Sequence, residues 1–190
     1  MSPPPAADPV LHALAQAAVA ATGASDGWVL AVEDAGLRVV AVAGSGTGAG
    51  MLAAIVPAGT GSAGFVVASG QPLAMAPRGD DPRFSEGTAQ LLGRRPSSVL
   101  SVPASNDDGV VGVLELVDKA GGGNFSFDDV EIATMLADIA GVALVQSERS
   151  SGPPVPRPSE LSGELERLSA ADPARYSAVA SAVAALLARG

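Results

Sequence analysis

The chain of 190 residues holds one histidine, His12, and no cysteine. A disulfide frame, a thiolate nucleophile, a Cys-ligated zinc and an iron–sulfur cluster are therefore excluded. A Ser-His-Asp triad would have to use His12. With no second His or Cys to join it, His12 reads as a surface-helix histidine rather than a metal ligand. The acidic doublets Asp80-Asp81, Asp107-Asp108 and Asp128-Asp129 lack the alternating oxygen spacing of a calcium loop, so they read as solvated turns.

Other residues have more chemical promise. Arg94-Arg95 ends a long loop just before an apolar strand, where two guanidinium groups could hold an anion bidentately. The plainer reading is a solvated loop pair. Glu115 interrupts an apolar run, and strand alternation puts Val113, Glu115 and Val117 on one face, with Leu114 and Leu116 on the other. A carboxylate on such a face needs a partner, which the sequence does not name. Gly59, Gly61 and Gly64 fit the spacing of a dinucleotide fingerprint, with Asp80 and Asp81 roughly 20 residues on. Pro57 and the hairpin pattern deny it the parallel βαβ unit it needs, which leaves a tight turn before a packed helix.

Composition narrows the setting. Aromatics are 3% and charged residues 16%, so Ala, Val, Leu and Ile must build the core. A net charge of −9 repels a phosphate backbone, so nucleic acid is not an expected partner. No apolar run approaches the ~20 residues that span a bilayer. The start, MSPPPAADP, has no basic segment followed by an apolar one. These features predict a cytoplasmic protein with no membrane partner.

The elements that must position these residues follow from period and punctuation. Residues 1–8 are a Pro-rich lead-in. Asp8 and Pro9 cap a helix over 9–22, with Leu11, Leu14, Ala15, Ala18 and Val19 at helical spacing and Gly23 as its stop. Trp28–Val32 and Leu37–Val42 read as strands joined by a turn at Glu33–Gly36, and the Gly-rich loop 44–50 follows. A short helix is predicted at Ala63–Ala68 and a strand at Pro72–Ala76. Residues 77–96 are a long excursion with one helical turn near Thr88–Leu92, and a loop of that length is usually functional or disordered. Two more strands, Ser97–Pro103 and Val110–Val117, flank the turn at Asn106–Gly109. Ser126 and Asp129 form a capping box for a long helix to about Gln146, striped by Ile132, Met135, Leu136, Ile139, Val142 and Ala143.

Composition shifts at 149. Residues 149–158 are a Pro-rich linker, and 159–190 form a helical tail. Residues 1–148 carry a net −10, and residues 149–190 a net +1. In the tail, Leu161, Leu165 and Leu168 share one face. A second helix restarts at Asp172-Pro173, with a stripe of Tyr176, Val179, Ala180, Val183, Leu186 and Leu187. The tail cannot bury that stripe alone, so it must dock on the domain or on a partner.

Two segments, in this order, resemble the GAF domain family of small-molecule sensor modules. The first runs from Gly59-Thr60-Gly61-Ser62-Ala63-Gly64 to Gln71-Pro72-Leu73. The second is Val99–Pro103, then Gly109–Lys119, then Phe125 and Asp129, and Asp81-Pro82-Arg83-Phe84 between the two also fits. The resemblance covers about residues 9–147. It implies an α+β fold with a central antiparallel sheet, helices on one face and a ligand pocket on the other. It implies pocket candidates Trp28, Met75, Phe84, Arg94, Arg95, Val99, Ser101, Val113 and Glu115. It further implies a homodimer through the first and last domain helices, with Leu11, Leu14, Ala18, Met135, Ile139 and Val142 as interface candidates.

Cyclic-nucleotide-binding members of that family carry an Asn-Lys…Phe-x-x-x-Asp-Glu signature. Here Asp118 stands for the Asn and Val130 for the Glu, while Lys119, Phe125 and Asp129 match. That departure makes Lys119–Asp129 a structural brace rather than a sign of cyclic nucleotide. Bilin attachment and methionine-sulfoxide reduction in the family both need cysteine, and haem needs a pocket histidine, whereas His12 lies on the first helix. The expected function is a non-catalytic, dimeric sensory domain that binds an unidentified small molecule and signals to a regulatory partner protein. The alternative is a ligand-free interaction module acting through its C-terminal helix.

Overall fold

A computed structural model describes residues 8–44, 46, 51–77, 89, 92–150 and 158–187. The chain divides into two units, residues 1–150 and 151–190. In the first, helix α1 (Pro9–Thr22) leads into strands β1 (Ala24–Glu33) and β2 (Gly36–Gly44). Then come β3 (Ile55–Val56), α2 (Gly61–Ser69), β4 (Leu73–Met75), β5 (Val99–Asn106), β6 (Gly109–Lys119) and the long helix α3 (Phe127–Ser150). All neighbouring strands are antiparallel, in the order β3-β2-β1-β6-β5-β4.

Local chemistry sets the boundaries. The Asp8 carboxylate accepts from the Val10 and Leu11 nitrogens, and Gly23 ends α1 with φ of 66°, a left-handed stop. The β1–β2 hairpin closes with Glu33 opposite Gly36, and the β5–β6 hairpin with Asn106 opposite Gly109. In the second turn the Asn106 side chain accepts from the Asp108 and Gly109 nitrogens, the bonding that makes Asn a turn residue.

Side-chain alternation splits the sheet into two faces. One buries Val29, Ala31, Ala41, Leu100, Val102, Ala104, Leu114 and Leu116 against α1 and α3. The other buries Trp28, Leu30, Val39, Val99, Val113 and Val117 together with Ala63 and Val66 of α2. The helices are thus not all on one face: the two long ones share a face and α2 covers the other. Ala89 and Leu92 also pack against that second face.

Leu11 and Ala18 point into the first of these cores and are fully buried there, so neither is open to a second chain. Leu14 is half-buried against the same core. Met135, Ile139 and Val142 are 61%, 53% and 54% exposed. Phe127–Ser147 is long and apolar enough by length and composition to cross a membrane, contrary to the reading of apolar runs above. Its Ala133, Ala137, Ala140 and Leu144 face is buried on the sheet, which is the packing of a core helix.

Alanines let α3 lie close to the sheet, and Gly141 marks a close approach to β5. A Cβ at Gly141 would lie 2.9 Å from the Ser105 nitrogen and nearer still to its carbonyl oxygen. In an open helix Gly→Ala gains roughly 1 kcal/mol. Here the overlap reverses the sign, since forcing a methyl into a packed contact costs about 1–3 kcal/mol. Gly141→Ala should therefore lower the urea midpoint. A raised midpoint would show that α3 has room to shift.

In the second unit, α4 (Pro158–Ala171) and α5 (Pro173–Leu187) form a helical hairpin. Asp172 joins them, accepting from the Arg175 nitrogen through its carboxylate. Leu161 and Val179 of this hairpin stay substantially exposed.

Candidate functional site

On the face beneath α2, strand register aligns one row of residues across the sheet. Leu73, Ser101, Glu115, Trp28 and Val42 stand side by side on β4, β5, β6, β1 and β2. Trp28 and Glu115 are each 1% exposed. The partner that Glu115 needed comes from two sides. Ser101 next to it donates to Glu115 Oε2 at 2.6 Å, and Ser62 in the first turn of α2 donates to the same oxygen at 2.7 Å. Met75, Val99 and Val113 are buried in the same cluster. Of the nine pocket candidates, the structure thus brings together Trp28, Met75, Val99, Ser101, Val113 and Glu115. Phe84 lies outside the described residues, as do Asp80 and Asp81.

Arg94 stands elsewhere. Its guanidinium bonds Asp26 at 3.0 Å and also pairs with Asp118. Asp26 is buried, and its other oxygen accepts from the Gly46 nitrogen at 2.6 Å. Asp118 accepts from the nitrogen and hydroxyl of Ser97 at 2.6 and 2.8 Å. Arg94 therefore clamps the segment before β5 to the ends of β1 and β6, with two carboxylates already on its charge. Arg95 is exposed. Sequence reading missed Asp26 and Ser62. Asp26 had a signal, because it lies two residues before Trp28 on a strand and so shares its face.

Asp118 has φ of 56°, a left-handed conformation that Asn and Asp tolerate better than most side chains. Either residue type suits that position. Next to it, Lys119 Nζ reaches both oxygens of Asp129 at 2.8 Å and the Thr22 carbonyl at 2.5 Å. Asp129 also accepts from the Ser126 nitrogen at 2.8 Å, and Ser126 Oγ accepts from the Asp129 nitrogen at 3.2 Å, a capping box closed in both directions. His12 is half-buried on α1, with Nδ1 2.8 Å from the Val42 carbonyl oxygen of β2.

The carboxyl groups titrate in opposite directions. Burial pushes Glu115 above the usual carboxylate range, against the two serine hydrogen bonds. Burial acts the same way on Asp129 and Asp118, but hydrogen bonds and charge from Lys119 with Ser126, and from Arg94 with Ser97, outweigh it and hold both low. By linkage, Asp129 and Asp118 contribute stability that is complete above their ordinary value near ~3.9 and lost as pH falls through their lower folded values. Glu115 does the reverse: stability declines as pH rises from its ordinary value near ~4.3 to its raised folded value. Urea denaturation across pH should show Glu115→Gln abolishing the decline on the neutral side. Asp129→Asn should weaken the acid-side loss. Unchanged slopes in both variants would refute the assignment.

A sheet with two long helices on one face, and a small helix over a polar-centred cluster on the other, has a known counterpart. The GAF domain model matches residues 7–144. The chain belongs to the GAF family. The second GAF domain of DevS from Mycobacterium smegmatis superposes with a TM-score of 0.59 at 24% identity, covering 75% of this chain and 95% of that one. NreA of Staphylococcus aureus, solved with a mutated nitrate binding site, superposes with a TM-score of 0.50 at 20% identity, covering 62% of this chain and 89% of that one. Among curated proteins, the dual 3',5'-cyclic-AMP and -GMP phosphodiesterase 11A of Takifugu rubripes is 30% identical over 95 residues. That match takes in 49% of this chain and 10% of the phosphodiesterase, so this GAF chain corresponds to a small part of that relative.

Proposed function

We propose that this chain is a non-catalytic, dimeric sensory module of the cytoplasm. It binds a small molecule on the sheet face beneath α2 and passes its state to a partner protein through residues 151–190. The observation that carries the reading is the buried row Trp28–Glu115–Ser101 with Ser62 above it. Burial raises the cost of ionising the Glu115 carboxyl, and carboxyl groups perturbed in this way cluster at functional sites. GAF domains are typically small-molecule-binding regulatory modules, and NreA carries a nitrate site on this fold. A cyclic nucleotide is not the ligand we propose, because positions 118 and 130 depart from the signature described above. For a non-catalytic role, the lone imidazole of His12 is engaged with β2, and the chain has no thiol.

The reading is tested by screening a metabolite library for thermal stabilisation while following Trp28, the single tryptophan. A true ligand should raise Tm saturably and shift Trp28 emission. Stabilisation that leaves Trp28 unchanged would place binding away from this face. No saturable hit would favour the second reading, in which the open Leu161 and Val179 of the tail hairpin capture a partner without any ligand.

A further inference from the structure

Resting on that small-molecule reading, we infer that the site selects a cation: a protonated amine or guanidinium on a small apolar body. Trp28 and Glu115 are direct cross-strand neighbours on the same face. A carboxylate beside an indole is the pairing that recognises an organic ammonium group, one by charge and hydrogen bond, the other by cation–π attraction. The remaining neighbours, Leu30, Met75, Val99 and Val113, are apolar and suit the body of such a ligand.

The two serines act as stand-in donors. Each hydroxyl is a rotor that both donates and accepts, so it can turn away from Glu115 Oε2 when a stronger donor arrives, or accept from that donor. Neither serine neutralises the charge, and burial still disfavours the carboxylate form. A bound cation would stabilise the carboxylate form against that penalty.

An anionic ligand meets the opposite situation. It would stand beside the Glu115 carboxylate, and among the described residues Arg94 is engaged by Asp26 and Asp118, and Lys119 by Asp129. The first turn of α2, where an anion would gain from the helix dipole, already faces the protein's own carboxylate through Ser62.

The test titrates the full chain with three probes of matched shape: phenethylammonium, 2-phenylethanol and phenylacetate. Trp28 emission and Tm are read together. The ammonium probe should give a saturable change in both, and Glu115→Gln should weaken it by about tenfold or more, the scale of one charge-assisted bond. The variant's own Tm should match or exceed the wild type, which shows it folds. Phenylacetate binding as well as the ammonium probe would overturn the cation and leave the small-molecule reading standing. Undiminished ammonium binding by Glu115→Gln would also overturn it, as would silence toward ammonium and guanidinium probes in the millimolar range.

Discussion

Replacing Asp129 with alanine is expected to cost the domain about 3 kcal/mol, the lower end for breaking a buried ion pair. The Asp129 side chain is 7% exposed, while the Lys119 side chain is 26% exposed, and that partial solvation of the cation keeps the figure from going higher. Asp129 serves three elements at once. It receives Lys119 from the end of β6 and caps α3 through Ser126, and Lys119 in turn holds the Thr22 carbonyl at the end of α1. Asp129→Asn keeps a cap acceptor and loses the charge, so it should lose less. The readout is the urea midpoint at constant slope, which reports stability without a change in the unfolded state. A loss below ~0.5 kcal/mol would mean the pair behaves as an ordinary surface bridge.

Ile139→Glu should convert a dimer into a monomer. Met135, Ile139 and Val142 form an exposed stripe at spacings of four and three, the spacing at which paired helices meet. The opposite face of α3 is filled by the chain's own sheet, so the stripe is not needed for the fold. We propose that a second copy covers it, as an isologous contact of like with like. A carboxylate placed in that seam would be buried without a partner, at a cost of several kcal/mol. Dimer affinity should therefore fall by about a hundredfold or more. Sedimentation velocity reads the assembly state, and near-UV circular dichroism checks that the domain stays folded. A variant that remains dimeric at wild-type affinity would remove the stripe from the interface.

Local signals in the sequence carried the elements. The Asp8 cap, the Gly23 stop, both hairpin turns and the Ser126–Asp129 box all depend on residues within a few positions of each other. Strand alternation also placed Glu115 opposite Leu114 and Leu116 correctly. What stayed hidden depends on distance along the chain. Ser62 and Glu115 are 53 positions apart, and Arg94 and Asp26 are 68 apart. No periodicity links such pairs; only the sheet order brings them together. Leu11 and Ala18 were misplaced for a related reason. A helix stripe shows which residues are apolar, but not whether the sheet or a second chain covers them. Arg94 could not be sorted by type, because an arginine clamped by two carboxylates looks the same in sequence as one awaiting an anion.

Native mass spectrometry of the full chain tests the central claim most directly, since it reports subunit number and retained mass together. The account predicts a dimer that carries a discrete additional small-molecule mass, displaced on gentle activation. The same mass should be lost from Glu115→Gln. Bare monomeric chains at every protein concentration would contradict both the paired α3 stripe and the occupied face beneath α2.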